Sequence, residues 1–307
     1  MPSRQSVDTA PLFTGLTGFA GLSGFAAFAG LPGFTGQARC KAAGPGGKVP
    51  VAAPAAARTA LVLSGGCLHG LAQIGVLKAL AAAGIRPDLV VGCSVGAVIG
   101  ALYAAGRTPA EIERAALEVV IAQLKCWALS WRGLWHASGV EALMRRQLPC
   151  HRIEAFPIRF TAVATDAATG APAVLAEGDA SHAVTASAAM PGFFVPARFA
   201  GRRYRDGCLV SPLPVRIARA LGAERVIAVN TLVDPARERA GGLLATLLYS
   251  PRLMMRRLAE HEAAGADLVI APVLPARAPA SARERQALID AGEREGDRAL
   301  RGLLARW

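Results

Sequence analysis

Of the 34 basic residues in this 307-residue chain only 4 are lysine, only 5 residues are histidine, and aromatic residues make up 6%. The formal charge of +12 would suit a polyanion partner, but the arginines are not interleaved with stacking aromatics, which argues against a nucleic-acid surface. Six cysteines (Cys40, Cys67, Cys93, Cys126, Cys150 and Cys208) contain no C-x-x-C pair. That spacing indicates neither a zinc site nor a small disulfide scaffold, and it leaves small buried free thiols as the expected state. Residues 9–38 carry no charge at all, yet a glycine recurs about every third position and branched aliphatics are few, unlike a membrane span. No internal repeat is visible.

What is present is apolar: 53% of residues are hydrophobic against 18% charged, so disorder of the whole chain is excluded. Residues 1–58 form a Gly/Phe/Ala-rich stretch and a Gly/Pro/Ala linker without a period of 2 or 3.6 to bury, and are expected to be a disordered extension, with a leader as the alternative. From residue 59 the pattern alternates between strand and helix. Strands are expected over 60–63, 88–91, 158–164, 225–229 and 267–270, and helices over 71–83, 95–105, 214–221 and 243–264. Another helix is opened by Thr108-Pro109 with Glu111 at the capping-box position. Such alternation implies an α/β fold with a largely parallel sheet. Residues 282–307 mix both charges and read as a surface helix, so the chain divides into an extension (1–58), a catalytic domain (59–275) and a C-terminal helix (276–307).

Gly92-Cys93-Ser94-Val95-Gly96 lies between an expected strand and an expected helix. A G-x-S-x-G there is a nucleophile elbow, whose small residues allow a cramped turn that pushes the serine hydroxyl out above a helix N-terminus. Ser94 is the candidate nucleophile, with Gly92 and Gly96 shaping the turn. Ser64-Gly65-Gly66-Cys67-Leu68-His69-Gly70 also joins a strand to a helix. It fails the dinucleotide fingerprint, because Cys67 takes a glycine position, and it fails the P-loop, because Leu71 stands where lysine should. An oxyanion hole of backbone amides suits it better. For a base, His261 lies on an amphipathic helix and reads as a solvated histidine, while His69 reads as a helix-start or packing residue. Asp206, in Arg205-Asp206-Gly207-Cys208, is an alternative base, although a carboxylate on a glycine-containing turn, taken alone, is the ordinary signature of a β-turn.

In order along the chain, Leu63-Ser-Gly-Gly-Cys-Leu-His-Gly70, Ile74-Gly-Val-Leu-Lys-Ala-Leu80, Ala83-Gly-Ile-Arg-Pro-Asp88, Gly92-Cys-Ser-Val-Gly96, Ala186-Ser-Ala-Ala-Met-Pro-Gly192 and Asp206-Gly207 closely resemble the patatin-like phospholipases, bacterial members especially. The resemblance covers about residues 59–275. It implies a three-layer α/β/α fold and a serine lipid acyl hydrolase, of phospholipase A, lysophospholipase or esterase type. It further implies a Ser94–Asp206 dyad without histidine, and an oxyanion hole of the Gly65, Gly66 and Cys67 amides within a motif that includes Gly70 and Gly207. No metal or cofactor is implied. The partner is a lipid or acyl ester, with peripheral membrane contact and a place in the cytoplasm or at the inner membrane, and residues 1–58 keep export open. Two positions depart from the family pattern. Cys67 replaces a common glycine, which matters if the position needs φ > 0, and His69 replaces a common arginine that would help to hold a negative headgroup. A non-catalytic lipid- or protein-binding module and an acyltransferase are the alternatives. Arg198, Arg202, Arg203 and Arg205 precede the proposed base and are candidates for attracting anionic headgroups, or else a solvated hairpin.

Overall fold

The computed structural model describes residues 57–118, 126–130, 133–233 and 243–304; all but the last two residues of the expected extension lie outside them. The elements are β1 (Ala57–Leu63), α1 (Ala72–Ala82), β2 (Leu89–Cys93), α2 (Val95–Ala104), α3 (Pro109–Glu118), β3 (Cys126–Ser130), β4 (Gly133–His136), α4 (Ser138–Gln147) and β5 (Arg159–Asp166). They continue with β6 (Pro172–Leu175), α5 (Ala180–Ser187), β7 (Ala197–Phe199), β8 (Arg202–Asp206), α6 (Val215–Ala220), β9 (Ala223–Val229), α7 (Leu243–Ala263), β10 (Leu268–Ile270) and α8 (Ala282–Leu304).

The main sheet runs β10-β9-β1-β2-β5-β8-β7, with β6 also paired to β5. Its β10-to-β5 portion is parallel, while β6, β7 and β8 pair antiparallel. Both faces are covered, as a parallel sheet requires. Leu61, Leu63, Val90, Ile227 and Val229 point into one apolar cluster with α1, α2, α5 and α8. The alternate residues Ala60, Val62, Leu89, Val91, Val226 and Ala228 point into another with Val215 and Ala218 of α6 and Ala259 of α7. This is the expected α/β/α layering, and the helix and strand positions follow the sequence pattern to within a few residues. The capping box also forms: Thr108 N–H donates to Glu111 Oε2 at 2.8 Å and Glu111 N–H to Thr108 Oγ1 at 3.3 Å.

Two expectations change. Residues 282–304 are more than a surface helix, because Leu288, Ile289 and Leu300 are buried in the main core. There α8 packs so closely on α1 that a Cβ at Gly75 or Gly292 would collide with the backbone of the other helix. Cys150 is disulfide-bonded rather than free, while Cys67, Cys93 and Cys208 are free thiols. Among the described residues no helix is long and apolar enough to cross a membrane.

Strand order also places the chemistry. Connections leave β1 toward β2 on one side, while β9 lies on the other, so the loops after β1, β2 and β9 emerge together at the carboxyl ends of parallel strands. That edge is where open α/β sheets form their sites.

Candidate active site

Ser94 follows β2 and caps α2 with φ 54° and ψ −121°, a conformation that costs a non-glycine residue about 1–3 kcal/mol and persists only if its surroundings impose it. The surroundings are visible. A Cβ at Gly92 would strike the Gly96 carbonyl and Ala97, and one at Gly96 would strike the carbonyls of Leu63 and Ser64. Strand end, elbow and helix start therefore interlock only with glycine at both positions. The Ser94 amide donates to Ser187 Oγ at 2.9 Å, and Ser187 Oγ donates to the Val163 carbonyl at 2.6 Å. Ser187 thus ties the elbow to β5 from the end of α5.

Register brings the carboxylate to the serine. Cys93 lies beside Val163 in the β2–β5 pair, and Ala164 lies beside Asp206 in the β5–β8 pair. Ser94 Oγ donates to Asp206 Oδ2 at 2.7 Å. The other carboxylate oxygen accepts the Cys208 amide at 2.8 Å, and the Asp206 carbonyl accepts Thr165 Oγ1 at 2.8 Å. Asp206 is 1% exposed. Burial pushes its carboxyl above the ordinary aspartate range, opposed by the hydrogen bonds from the Cys208 amide and Ser94. A raised carboxyl is a stronger base than a solvated one. Among the described residues no histidine is hydrogen-bonded to either group: His261 is exposed, and His69 is buried with Nε2 3.3 Å from the Arg277 carbonyl.

The glycine loop lies over the same edge and passes into a 3₁₀ turn, Cys67–Leu71, that continues as α1. Its Gly65 amide donates to the Pro212 carbonyl at 2.9 Å, so that N–H is engaged within the fold. Among the described residues nothing accepts from the Gly66 or Cys67 amide. Gly66 has φ 143° and Cys67 φ 49°. The cysteine therefore does occupy a left-handed conformation that glycine would take without strain. Cys67 is exposed, yet enough protein surrounds its sulfur that desolvation, then the Asp206 charge, pushes the thiol up to about 11 against an opposing pull from Arg252. It stays protonated at neutral pH and is no rival nucleophile. Gly70 packs where any Cβ would strike Val95, and a Cβ at Gly207 would strike the Val163 carbonyl.

Several supporting residues had no signal of their own in the sequence. Thr231, after β9, accepts from Gln73 Nε2 at 3.3 Å and donates its hydroxyl to the Gly65 carbonyl at 3.2 Å, while its amide donates to Ser64 Oγ at 2.9 Å. Glu262 on α7 is 1% exposed and accepts Ser211 Oγ at 2.5 Å and the Leu213 amide at 3.1 Å. It holds the loop whose Pro212 carbonyl fixes Gly65. Burial pushes the Glu262 carboxyl up against those same bonds. Ser187 is different, because it stands within a motif segment read from the sequence, where only its role was missing.

The arginines before Asp206 form a hairpin, β7–β8, and do not share one direction. On β8, Tyr204 and Asp206 are buried while Arg202 and Arg203 are exposed, so Arg203 and Arg205 alternate away from the face that carries Asp206. Arg202 is paired with Asp166 at 2.8 Å. Arg198 helps to line a cleft of ≈ 560 Å³ with Glu141, His182 and Thr185.

A family sequence model described as "Patatin-like phospholipase" matches residues 61–219. An uncharacterized NTE family protein of Mycobacterium tuberculosis is 33% identical over 196 residues, which cover 62% of this chain and 54% of that protein. The human patatin-like phospholipase domain-containing protein 6 is 34% identical over 179 residues, covering 56% of this chain and 13% of that protein. The chain thus spans about half the length of the mycobacterial relative. Among solved structures, VipD from Legionella pneumophila superposes with a TM-score of 0.54 at 14% identity, covering 80% of this chain and 67% of that one, a likeness of fold.

Proposed function

Because this chain belongs to the patatin-like phospholipase family, we propose that it is a serine lipid acyl hydrolase working through a Ser94–Asp206 dyad. The observation that carries this reading is the 2.7 Å hydrogen bond from Ser94 Oγ to Asp206 Oδ2, made at a strained elbow and inside a desolvated site. Asp206 accepts the Ser94 proton as Oγ attacks the ester carbonyl. The carbonyl oxygen becomes an oxyanion, stabilised by the Gly66 and Cys67 amides, which are uncommitted among the described residues and lie at the start of a helix. Collapse expels the alcohol, which takes the proton from Asp206. Water, deprotonated by the same carboxylate, then attacks the acyl-serine, releasing the fatty acid and restoring Ser94.

The Gly65 amide has a positioning part in this scheme: its bond to Pro212 holds the loop that carries the next two amides. A lipid ester is the substrate class, and contact with a lipid surface is peripheral. On α7, Tyr249 and Met254 are exposed, Met254 at 72%, beside the exposed Arg257, a composition that suits a bilayer interface.

Fluorophosphonate labelling tests the nucleophile, and hydrolysis of a panel of acyl esters tests the reaction. Labelling at Ser94 is expected, together with loss of hydrolysis in Ser94→Ala and near loss in Asp206→Asn, both remaining folded. Substantial hydrolysis in either variant would refute the dyad. An unlabelled, folded protein would favour a binding module, and faster acyl transfer to added alcohols or thiols than to water would favour an acyltransferase.

A further inference from the structure

Beside the dyad lie two free thiols that the reaction does not use. Cys93 Sγ and Cys208 Sγ are 3.5 Å apart, and both sulfurs lie with an Asp206 carboxylate oxygen within 4.8 Å of one another. The three residues are 0%, 5% and 1% exposed respectively. The two cysteines are 115 residues apart in the chain and are brought together by the same strand registers that join Ser94 to Asp206. Glycine is needed on both sides to seat them, since a Cβ at Gly65 would collide with Cys208 Sγ and one at Gly207 would press on Cys93 Sγ at 3.0 Å.

We propose that Cys93, Cys208 and Asp206 form a site for a thiophilic divalent cation of the zinc and cadmium class, and that occupying it switches the dyad off. Two thiolates on one tetrahedral ion, each about 2.3 Å from it, stand about 3.8 Å apart, close to the 3.5 Å found here. An ion central to three atoms no more than 4.8 Å apart lies within about 2.8 Å of each, so contraction by a few tenths of an ångström completes three bonds. A disulfide would instead require the sulfurs to close to about 2.05 Å, and it would make no use of the carboxylate.

The step balances without an oxidant: each thiol releases one proton to solvent as its sulfur binds, and the carboxylate binds as the anion. Three protein ligands leave a fourth position for water. Ser94 loses its base, because a carboxylate bound to the ion no longer takes the Oγ proton. The ion reaches the site by the route a substrate must take to Ser94, which is 6% exposed.

Ion binding does not require a working hydrolase, and only its effect on the dyad rests on the proposed function, so the test has a readout that does not need turnover. The full chain, metal-free and with the Cys150 disulfide intact, is titrated with Cd²⁺ while the ultraviolet thiolate-to-cadmium charge-transfer band is followed. The expected result is saturation at one equivalent, loss of the band in Cys93→Ala and in Cys208→Ala, and its retention in Cys67→Ser. In the unmodified chain, ester hydrolysis should fall at least tenfold over the same titration and return when a chelator is added. Absence of the band, or its survival in either alanine variant, overturns the proposal. Melting curves establish that each variant is folded, and Cys93→Ser and Cys208→Gly replace any alanine variant that is not. Cadmium binding to a chain that fluorophosphonate does not label would uphold the ion site and refute the hydrolase. A labelled, active chain without the band would do the reverse.

Discussion

Ser187→Ala probes how the strained elbow is held, and Ser181→Ala, on the same helix α5, is its matched control. Both serines are fully buried, but their hydroxyls differ. Ser187 Oγ accepts from the Ser94 amide and donates to the Val163 carbonyl, whereas Ser181 Oγ has no hydrogen-bond partner among the described residues. Removing Ser187 Oγ leaves the buried Ser94 amide without its acceptor and takes a donor from the buried Val163 carbonyl, at about 1–3 kcal/mol for each group left unsatisfied. Partial relaxation recovers some of this, for an expected net loss of about 2–4 kcal/mol. In a domain of this size that lowers Tm by about 5–15 °C. Removing Ser181 Oγ deletes a group that is already unsatisfied, so the change is neutral or stabilising by up to about 1 kcal/mol. A second effect is kinetic. Without its anchor the Ser94 backbone relaxes from φ 54° and carries Oγ off Asp206, and a displacement of about 1 Å can cost on the order of 100-fold in rate. Denaturant titrations and steady-state hydrolysis of a chromogenic ester read both effects. If Ser187→Ala matched Ser181→Ala within about 0.5 kcal/mol with unchanged kcat, the account of the elbow would be wrong.

Four further predictions concern the neighbouring groups. Because Asp206 must be ionised to act and burial raises its carboxyl, the acidic limb of kcat/KM is expected above the ordinary aspartate value of about 3.9; a limb at or below that value would count against Asp206 as the base. Stability has the opposite sign: the folded chain holds the Asp206 and Glu262 protons more tightly than the unfolded chain, so their contribution is present at low pH and is lost as pH rises through the raised folded values. Cys67→Gly removes a left-handed cysteine and should stabilise the chain by about 1 kcal/mol, measured as a higher denaturant midpoint at unchanged m. Glu262→Gln turns one of two acceptors into a donor facing Ser211 Oγ or the Leu213 amide. It should cost about 1–3 kcal/mol and lower kcat more than it changes KM, because the disturbance reaches Gly65 through Pro212; equal activity and stability would break that link.

Periodicity and local chemistry made much of this molecule legible in its sequence. Alternating strand and helix signals fixed the α/β class, Thr108 and Glu111 announced a cap, and Gly92, Ser94 and Gly96 announced an elbow, because each rests on residues within a few positions of one another. Asp206 was a weaker signal, a β-turn by itself, and gained meaning only from the order of motifs around it. Likewise the burial of α8 was masked by its mixed charges, since the small residues that admit it, Gly75 and Gly292, are 217 positions apart.

Tertiary structure alone decided which of these groups meet. The registers β1–β2–β5–β8 carry Ser94 to Asp206 and, with them, Cys93 to Cys208; no local pattern encodes a pairing between strands so distant in the chain. The same holds for the amides of the glycine loop. Composition shows glycines able to offer N–H groups, but only the loop at Pro212, braced by the buried Glu262, determines that Gly65 is committed while, among the described residues, Gly66 and Cys67 are not. A backbone donor is identical in every residue, so its availability is a property of what the fold places opposite it.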